Sequence, residues 1–204
     1  MIPYRTRWAQ LGPKLFVSYN PAAAGDRSER LVFVAVAIEM WFSEEGDRRV
    51  RRLWSALEAR GVTSLSTATH RKHVPHVSLT VMDRLPTQED ALTDAVRPAL
   101  GKTLRLSAVG GFPEVATFLL PAHHQALAAT HHRVHDALIQ AGAPVWDYYA
   151  PGSWVPHCTM SFWADDTEIS HLAAVAAGQF PIDVIVASVK AVDSQTGEVL
   201  RHLN

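Results

Sequence analysis

The chain has 204 residues, of which 48% are hydrophobic and 19% charged, a composition typical of a soluble globular protein with one large domain or two halves that share a core. Its net charge of −1 gives no overall basic field that would demand a nucleic-acid partner. The single cysteine, Cys158, excludes an internal disulfide, and the apolar run Leu31–Ile38 is too short to cross a bilayer, so we expect a cytoplasmic protein without membrane association.

The first elements are an irregular start, a strand and a helix. Residues 1–30 carry no regular pattern, and we interpret them as an N-terminal leader. The segment Leu31–Met40 is almost continuously apolar, which predicts a buried central strand. Apolar residues at helical spacing then predict a helix over 44–60, and the stripe consists of Val50, Leu53, Trp54 and Leu57.

The remaining patterns predict the same order of elements twice, namely helix, strand, helix, strand, strand. In the first half, the elements after the first helix are the strand His76–Met82, a short helix between Thr87 and Pro98, and strands over 104–109 and 116–120 joined by a turn at Gly110-Gly111 and Pro113. In the second half, they are a helix over 123–141, a strand from His157, a helix over 167–177, and strands over 182–192 and 198–203.

This repeated order indicates a long internal duplication. We expect an α+β fold in which residues 31–204 form a single domain of two lobes, about 31–120 and 121–204, related by a pseudo-two-fold axis. Two antiparallel sheets would form a concave central groove, and the helices would pack outside.

Two tetrads of similar sequence, His76-Val77-Ser78-Leu79 and His157-Cys158-Thr159-Met160, lie about half of the domain apart. Each directly follows a proline and lies in a short apolar run that is typical of a strand. Successive side chains of a strand alternate between faces, so the histidine and the hydroxyl residue of each tetrad project from the same face. If the two halves face each other, two imidazoles and two hydroxyls line one groove.

This set of groups suits the cleavage of a phosphodiester. The reaction needs a base for the attacking oxygen, an acid for the leaving oxygen, and donors for the charged phosphoryl oxygens. Histidine, whose pKa is about 6.5, can serve as acid or base near neutral pH, so a pair needs no metal or cofactor. We expect His76 and His157 to be this pair, in an order that the sequence leaves open, and Ser78 and Thr159 to hold the phosphoryl oxygens.

The paired tetrads resemble those of the two-histidine phosphoesterase superfamily, which includes the bacterial 2′-5′ RNA ligase/cyclic phosphodiesterase proteins. The resemblance extends over about residues 31–204 in element order, with Ser78 where threonine is commoner and Cys158 in an apolar slot. It implies a bilobal fold and metal-independent chemistry on RNA ends or nucleotides, either hydrolysis of a 2′,3′-cyclic phosphate or reversible 2′-5′ ligation. We expect a monomer, and the physiological substrate stays open.

Residues near the tetrads are candidates for substrate binding. Arg71 and Lys72 precede the first tetrad and are candidates to attract an RNA backbone, although they also suit a solvated loop. Tyr149 and Trp154 precede the second tetrad and are candidates to stack on a base, although aromatic residues in loops often only cover the edge of a core.

Two other function classes fit parts of the sequence. A nucleotide- or RNA-binding module could use the same groove without turnover. A zinc hydrolase could use the histidine-rich helix, because the spacing of His131 and His135 can bind zinc. His131 also lies on an apolar stripe and no glutamate follows it as the zinc pattern requires, so packing is the preferred interpretation and we expect no metal site.

Overall fold

The computed structural model describes residues 35–87, 90–122, 125–162 and 166–204. The predicted leader and the start of the first predicted strand lie outside these ranges. The described strands are β1 Val36–Phe42, β2 His76–Met82, β3 Thr103–Phe112, β4 Ala116–Ala122, β5 Cys158–Phe162, β6 Ile182–Asp193 and β7 Val199–His202. The described helices are α1 Glu44–Glu58, α2 Asp90–Val96, α3 Gln125–Gln140 and α4 Asp166–Ala176. The predicted repeat is confirmed, because α1-β2-α2-β3-β4 is followed by α3-β5-α4-β6-β7.

The seven strands form one antiparallel sheet, which confirms the α+β class. The strands follow the order β2-β1-β6-β3-β4-β5, and β7 pairs with β6. The long strand β6 connects the two halves, since it pairs with β3 over Ile182–Ile185 and with β1 over 186–193. The strands that carry the tetrads, β2 and β5, end this order and contact each other, so the sheet curves round. The prediction of two separate sheets is not confirmed, because β6 joins the strands of both halves in one sheet, and two lobes that flank a concave groove stay a prediction.

Strand β1 is buried because it lies in the interior of the sheet. It pairs with β2 on one side and with β6 on the other, and Val36, Ile38 and Met40 are at most 2% exposed. Both edges of the strand are therefore paired, and Ala37 on its other face is also buried, which explains its nearly continuous apolar sequence. The predicted central strand is confirmed over the part that is described.

Helix α1 forms for the reasons that its sequence indicates. Its N-terminus is capped by the Ser43 hydroxyl, which accepts a hydrogen bond from the Gly46 N–H. Ion pairs join successive turns on the exposed side, including Glu44–Arg48 and Asp47–Arg51. The predicted apolar stripe of α1 is confirmed, since Val50, Leu53, Trp54 and Leu57 are all buried. None of the helices in the described ranges has the length and apolar character needed to span a bilayer.

The glycine pair Gly110-Gly111 lies inside β3, so this part of the predicted turn was wrong. The other part is confirmed at Pro113, because the chain turns over 113–115, where Val115 N–H donates to Phe112 O. A Cβ on Gly110 would collide with the Phe118 ring, so glycine is needed because a neighbouring ring approaches the backbone. A glycine pair also suits a turn, and the sequence pattern alone does not separate the two cases.

Candidate functional site

The two tetrads present the same alternation of burial. The histidine and hydroxyl residues are partly exposed, namely His76, Ser78, His157 and Thr159. The apolar positions between and after them are fully buried, namely Val77, Leu79, Cys158 and Met160. Each tetrad therefore turns its polar groups away from the core, as a strand of this sequence predicts. Cys158 packs in the core, and burial raises the pKa of its thiol to about 12.

Contacts between β2 and β5 bring the tetrads together. His76 and His157 are close enough to interact electrostatically, and the Cys158 sulfur hydrogen-bonds the backbone of His76. An indole N–H anchors each hydroxyl residue through its carbonyl. Trp154 Nε1 donates to Ser78 O at 3.0 Å, and Trp54 Nε1 donates to Thr159 O at 3.4 Å.

The two imidazoles are oriented in the same way. His76 Nδ1 lies 2.6 Å from Val74 O, and His157 Nδ1 lies 2.7 Å from Val155 O. A carbonyl oxygen only accepts hydrogen bonds, so Nδ1 carries the proton of each neutral ring. The other nitrogen, Nε2, is then the atom that gains or loses a proton in both histidines.

The surroundings of the two rings differ, and the difference begins at His76. Its Nε2 lies 3.5 Å from Glu39 Oε1. The other oxygen of Glu39 accepts a hydrogen bond from Trp41 Nε1 at 2.7 Å, and Lys190 Nζ lies 3.8 Å from the centre of the Trp41 ring. In the sheet, Trp41 stands opposite His76, and Glu39 stands opposite Ser78.

Sequence reasoning missed Glu39 and Trp41. One signal was available, because Glu39 is a charged residue in the middle of an otherwise apolar strand. Glu39 is only 7% exposed, and Lys190 stands opposite it in β6. A buried carboxylate is costly without partners, so such a position points to a structural or chemical role.

His157 lies among aromatic rings. Phe112 contacts it edge-on with 5.2 Å between ring centroids, and Phe118 contacts it at 4.9 Å. Removal from water disfavours the charged imidazolium, so burial, with a smaller contribution from the nearby His76, lowers the pKa of His157 to about 4. The hydrogen bond to Val155 O opposes this shift. His157 is therefore neutral near pH 7.

Two of the predicted substrate-binding residues lie beside the first tetrad. The Tyr149 side chain hydrogen-bonds Ser78, and its pKa is raised to about 12, first by burial and then by the charge of Glu39. Trp154 donates to the backbone of Ser78, as above, and one face of its ring stacks on His131 at 4.2 Å. The other two, Arg71 and Lys72, have exposed side chains on the loop before β2.

The histidine-rich helix is built for packing at His131. This residue is 1% exposed, and its Nε2 donates to Tyr149 O at 2.8 Å. It thereby supports the segment that carries Tyr149 and Trp154. Across the ranges that the structure describes, no group of three or more histidine, cysteine or acidic residues is placed to hold a metal ion. Residues 123 and 124, where the predicted histidine-rich helix begins, lie outside those ranges.

We expect the His131→Gln variant to tolerate acid better than the wild type. Burial lowers the pKa of His131 to about 4, so between about pH 6.5 and pH 4 the unfolded chain binds a proton that the native state excludes. The free energy of unfolding therefore falls as the pH drops through this window, by up to about 3 kcal/mol from this residue. Glutamine does not titrate, and its amide can still donate to Tyr149 O.

Urea denaturation at neutral pH and at about pH 4 measures this difference. The variant should lose about 2–3 kcal/mol less than the wild type between the two conditions. The exposed His132→Gln variant should behave like the wild type. Equal acid sensitivity of all three proteins would contradict the prediction.

Comparison with known proteins gives a family match and similarities to solved structures. The family model described as the 2′-5′ RNA ligase superfamily matches residues 42–198, which include both tetrads. No curated protein sequence matches the chain. The chain is similar to a solved structure titled "Crystal Structure of MHV ns2 PDE Domain", with 16% identity, a TM-score of 0.49, and coverage of 76% of this chain and 89% of that chain.

Proposed function

Because the chain belongs to the 2′-5′ RNA ligase superfamily, which confirms the resemblance carried by its tetrads, we propose that it is a metal-independent phosphoesterase. Its substrate would be an RNA end or a nucleotide, with hydrolysis of a 2′,3′-cyclic phosphate or reversible 2′-5′ ligation as the reaction. One observation carries this proposal. Two neighbouring imidazoles, on contacting strands, each hold Nδ1 on a backbone carbonyl and leave Nε2 for proton transfer.

The chemistry follows from these groups. In hydrolysis, one imidazole takes a proton from the attacking water, and the other gives a proton to the leaving ribose oxygen. The hydroxyls of Ser78 and Thr159 donate to the non-bridging oxygens, where negative charge builds up in the transition state. Proton transfer of this kind contributes about 10²–10⁴-fold to the rate. In ligation, the two histidines exchange roles because the reaction runs backwards.

We propose that four residues near the tetrads bind the substrate. Tyr149 and Trp154 stand next to Ser78, where an aromatic ring could stack on the base beside the scissile phosphate. Arg71 and Lys72 are exposed on the loop that leads into β2, where their charges would attract a phosphate backbone. We propose that the protein acts as a monomer in the cytoplasm and needs no cofactor.

The test is an assay in the presence of EDTA with 2′,3′-cyclic mononucleotides and with an RNA that ends in a 2′,3′-cyclic phosphate. We expect ring opening by the wild type and by the His132→Ala control, and none by the His76→Ala/His157→Ala double variant. The position of the phosphate in the product shows which bond breaks. Activity that EDTA abolishes would overturn the metal-independent mechanism, and nucleotide binding without any product would favour a binding module.

A further inference from the structure

Glu39 is a buried carboxylate at a position where an apolar residue would be expected. It interrupts the apolar strand β1 and is 7% exposed, yet it lies 3.5 Å from the atom of His76 that exchanges protons. The Trp41 indole holds its second oxygen at 2.7 Å. Burying a carboxylate costs stability that a well-packed apolar side chain would not cost, so packing alone does not explain Glu39.

We propose that Glu39 is a positioning residue for His76, whose Nε2 faces its carboxylate, so that His76 is the general acid and His157 the general base. This inference rests on the proposed phosphoesterase function, in which the two histidines are equivalent by sequence. The two histidines are distinguished by their neighbours, because a carboxylate faces His76 whereas aromatic rings contact His157.

The geometry at His76 favours a proton donor. Its Nδ1 already donates to Val74 O, so a proton on Nε2 makes the ring a cation. The negative Glu39 Oε1 faces this nitrogen and stabilises the cation. Their separation of 3.5 Å exceeds the about 2.7–2.9 Å of a strong charge-assisted hydrogen bond. The proton is therefore stabilised and still free to pass to the leaving oxygen of a substrate.

The geometry at His157 favours a proton acceptor. Its ring faces Phe112 and Phe118, whose apolar surfaces disfavour an imidazolium. With its pKa lowered to about 4, the ring is neutral near pH 7, and Nε2 carries a free lone pair. A neutral base then stands beside an imidazole whose Nε2 faces a carboxylate, which suits a reaction in which one proton is taken up and another is given.

Other titratable groups surround this pair. The loop before β2 contributes His70 and His73, which interact with Glu39 and His76 respectively. The segment before β5 contributes Tyr149 and His157, and β5 contributes Cys158. The pKa of His73 is lowered to about 3, and those of Tyr149 and Cys158 are raised to about 12, in each case mainly by burial. These groups are uncharged near pH 7, and burial also lowers the pKa of His70.

The cation on the same sheet face is Lys190. Its Nζ lies over the Trp41 ring, whose N–H holds Glu39. A cation over the face of an indole is an attractive arrangement. Lys190 therefore supports Trp41, and Trp41 in turn holds Glu39 beside His76.

Titration of the histidine rings by NMR tests the pairing without substrate. In the wild type, His76 should titrate at a higher pH than His157. In Glu39→Gln, which keeps the shape and removes the charge, the midpoint of His76 should fall by about one pH unit, while that of His157 changes little. Trp41→Phe should lower the His76 midpoint in the same direction, and the exposed Glu44→Gln control should not. An unchanged His76 midpoint in Glu39→Gln, or a His157 midpoint above that of His76, would overturn the proposal.

The pH dependence of kcat/KM tests the assignment of roles. Loss of the proton from the acid sets the alkaline limb, so this limb should move to lower pH by about one unit in Glu39→Gln, while the acid limb stays in place. A shift of the acid limb, or a uniform loss of activity at every pH, would contradict the assignment. If the wild type turns over no phosphodiester, the proposed function fails. The NMR titration still decides whether the Glu39 carboxylate shifts the titration midpoint of His76.

Discussion

Replacing His157 with alanine is expected to lower kcat on a 2′,3′-cyclic phosphate by about 10²–10⁴-fold, because the variant has no group at this position to take a proton from water. The substitution leaves space beside Phe112 and Phe118, which the imidazole ring contacts in the wild type. Added imidazole should therefore restore part of the activity, and the restored rate should rise with the fraction of neutral imidazole. Steady-state kinetics across a range of imidazole concentrations measures both effects.

Two controls separate lost chemistry from lost structure. His132→Ala removes an exposed histidine of α3 and should keep the wild-type kcat. Thermal unfolding should show that His157→Ala is folded at the assay temperature. A folded His157→Ala protein with undiminished turnover would contradict the two-histidine mechanism.

Replacing Trp54 with alanine is expected to lower the free energy of unfolding by about 3–5 kcal/mol, the cost of deleting a large buried aromatic side chain. Trp54 is 1% exposed and lies on the apolar stripe of α1. Its indole also donates to Thr159 O, so the same side chain packs the core and anchors the strand of the second tetrad. Urea denaturation followed by circular dichroism measures the change.

The Trp54→Phe variant separates the contribution of ring packing from that of the hydrogen bond. It keeps most of the ring volume and loses the hydrogen bond to Thr159 O, so we expect a loss of about 1–2 kcal/mol. Should Trp54→Ala cost no more than Trp54→Phe, packing of the ring against the core would not be the main contribution of this residue.

Sequence periodicity predicted most of the fold because the pattern is local. The stripe of α1, the buried strand β1 and the strand His76–Met82 follow from side-chain spacings of 3.6 and 2 residues, which the backbone geometry imposes. The glycine pair in β3 shows where local patterns fail. Position 110 needs glycine because the Phe118 ring on the next strand lies against its backbone, and that contact depends on strand pairing rather than on neighbouring sequence.

The candidate site divides in the same way. Alternation along a strand predicted that the histidine and hydroxyl of each tetrad share a face, and the structure places the two strands in contact. That these four residues carry catalysis stays a prediction. Glu39 and Trp41 were missed because they reach His76 only through the register between β1 and β2.

By itself, therefore, the sequence determined the two tetrads, the family that they indicate and the repeated order of elements. Each of these features depends only on short segments of sequence or on the order of those segments along the chain. Only the tertiary structure decided that the two histidines are unequal, with Glu39 beside His76 and aromatic rings beside His157. The physical reason is that the charge of an imidazole depends on the groups within a few ångströms of it, and strand pairing brings those groups from distant parts of the chain.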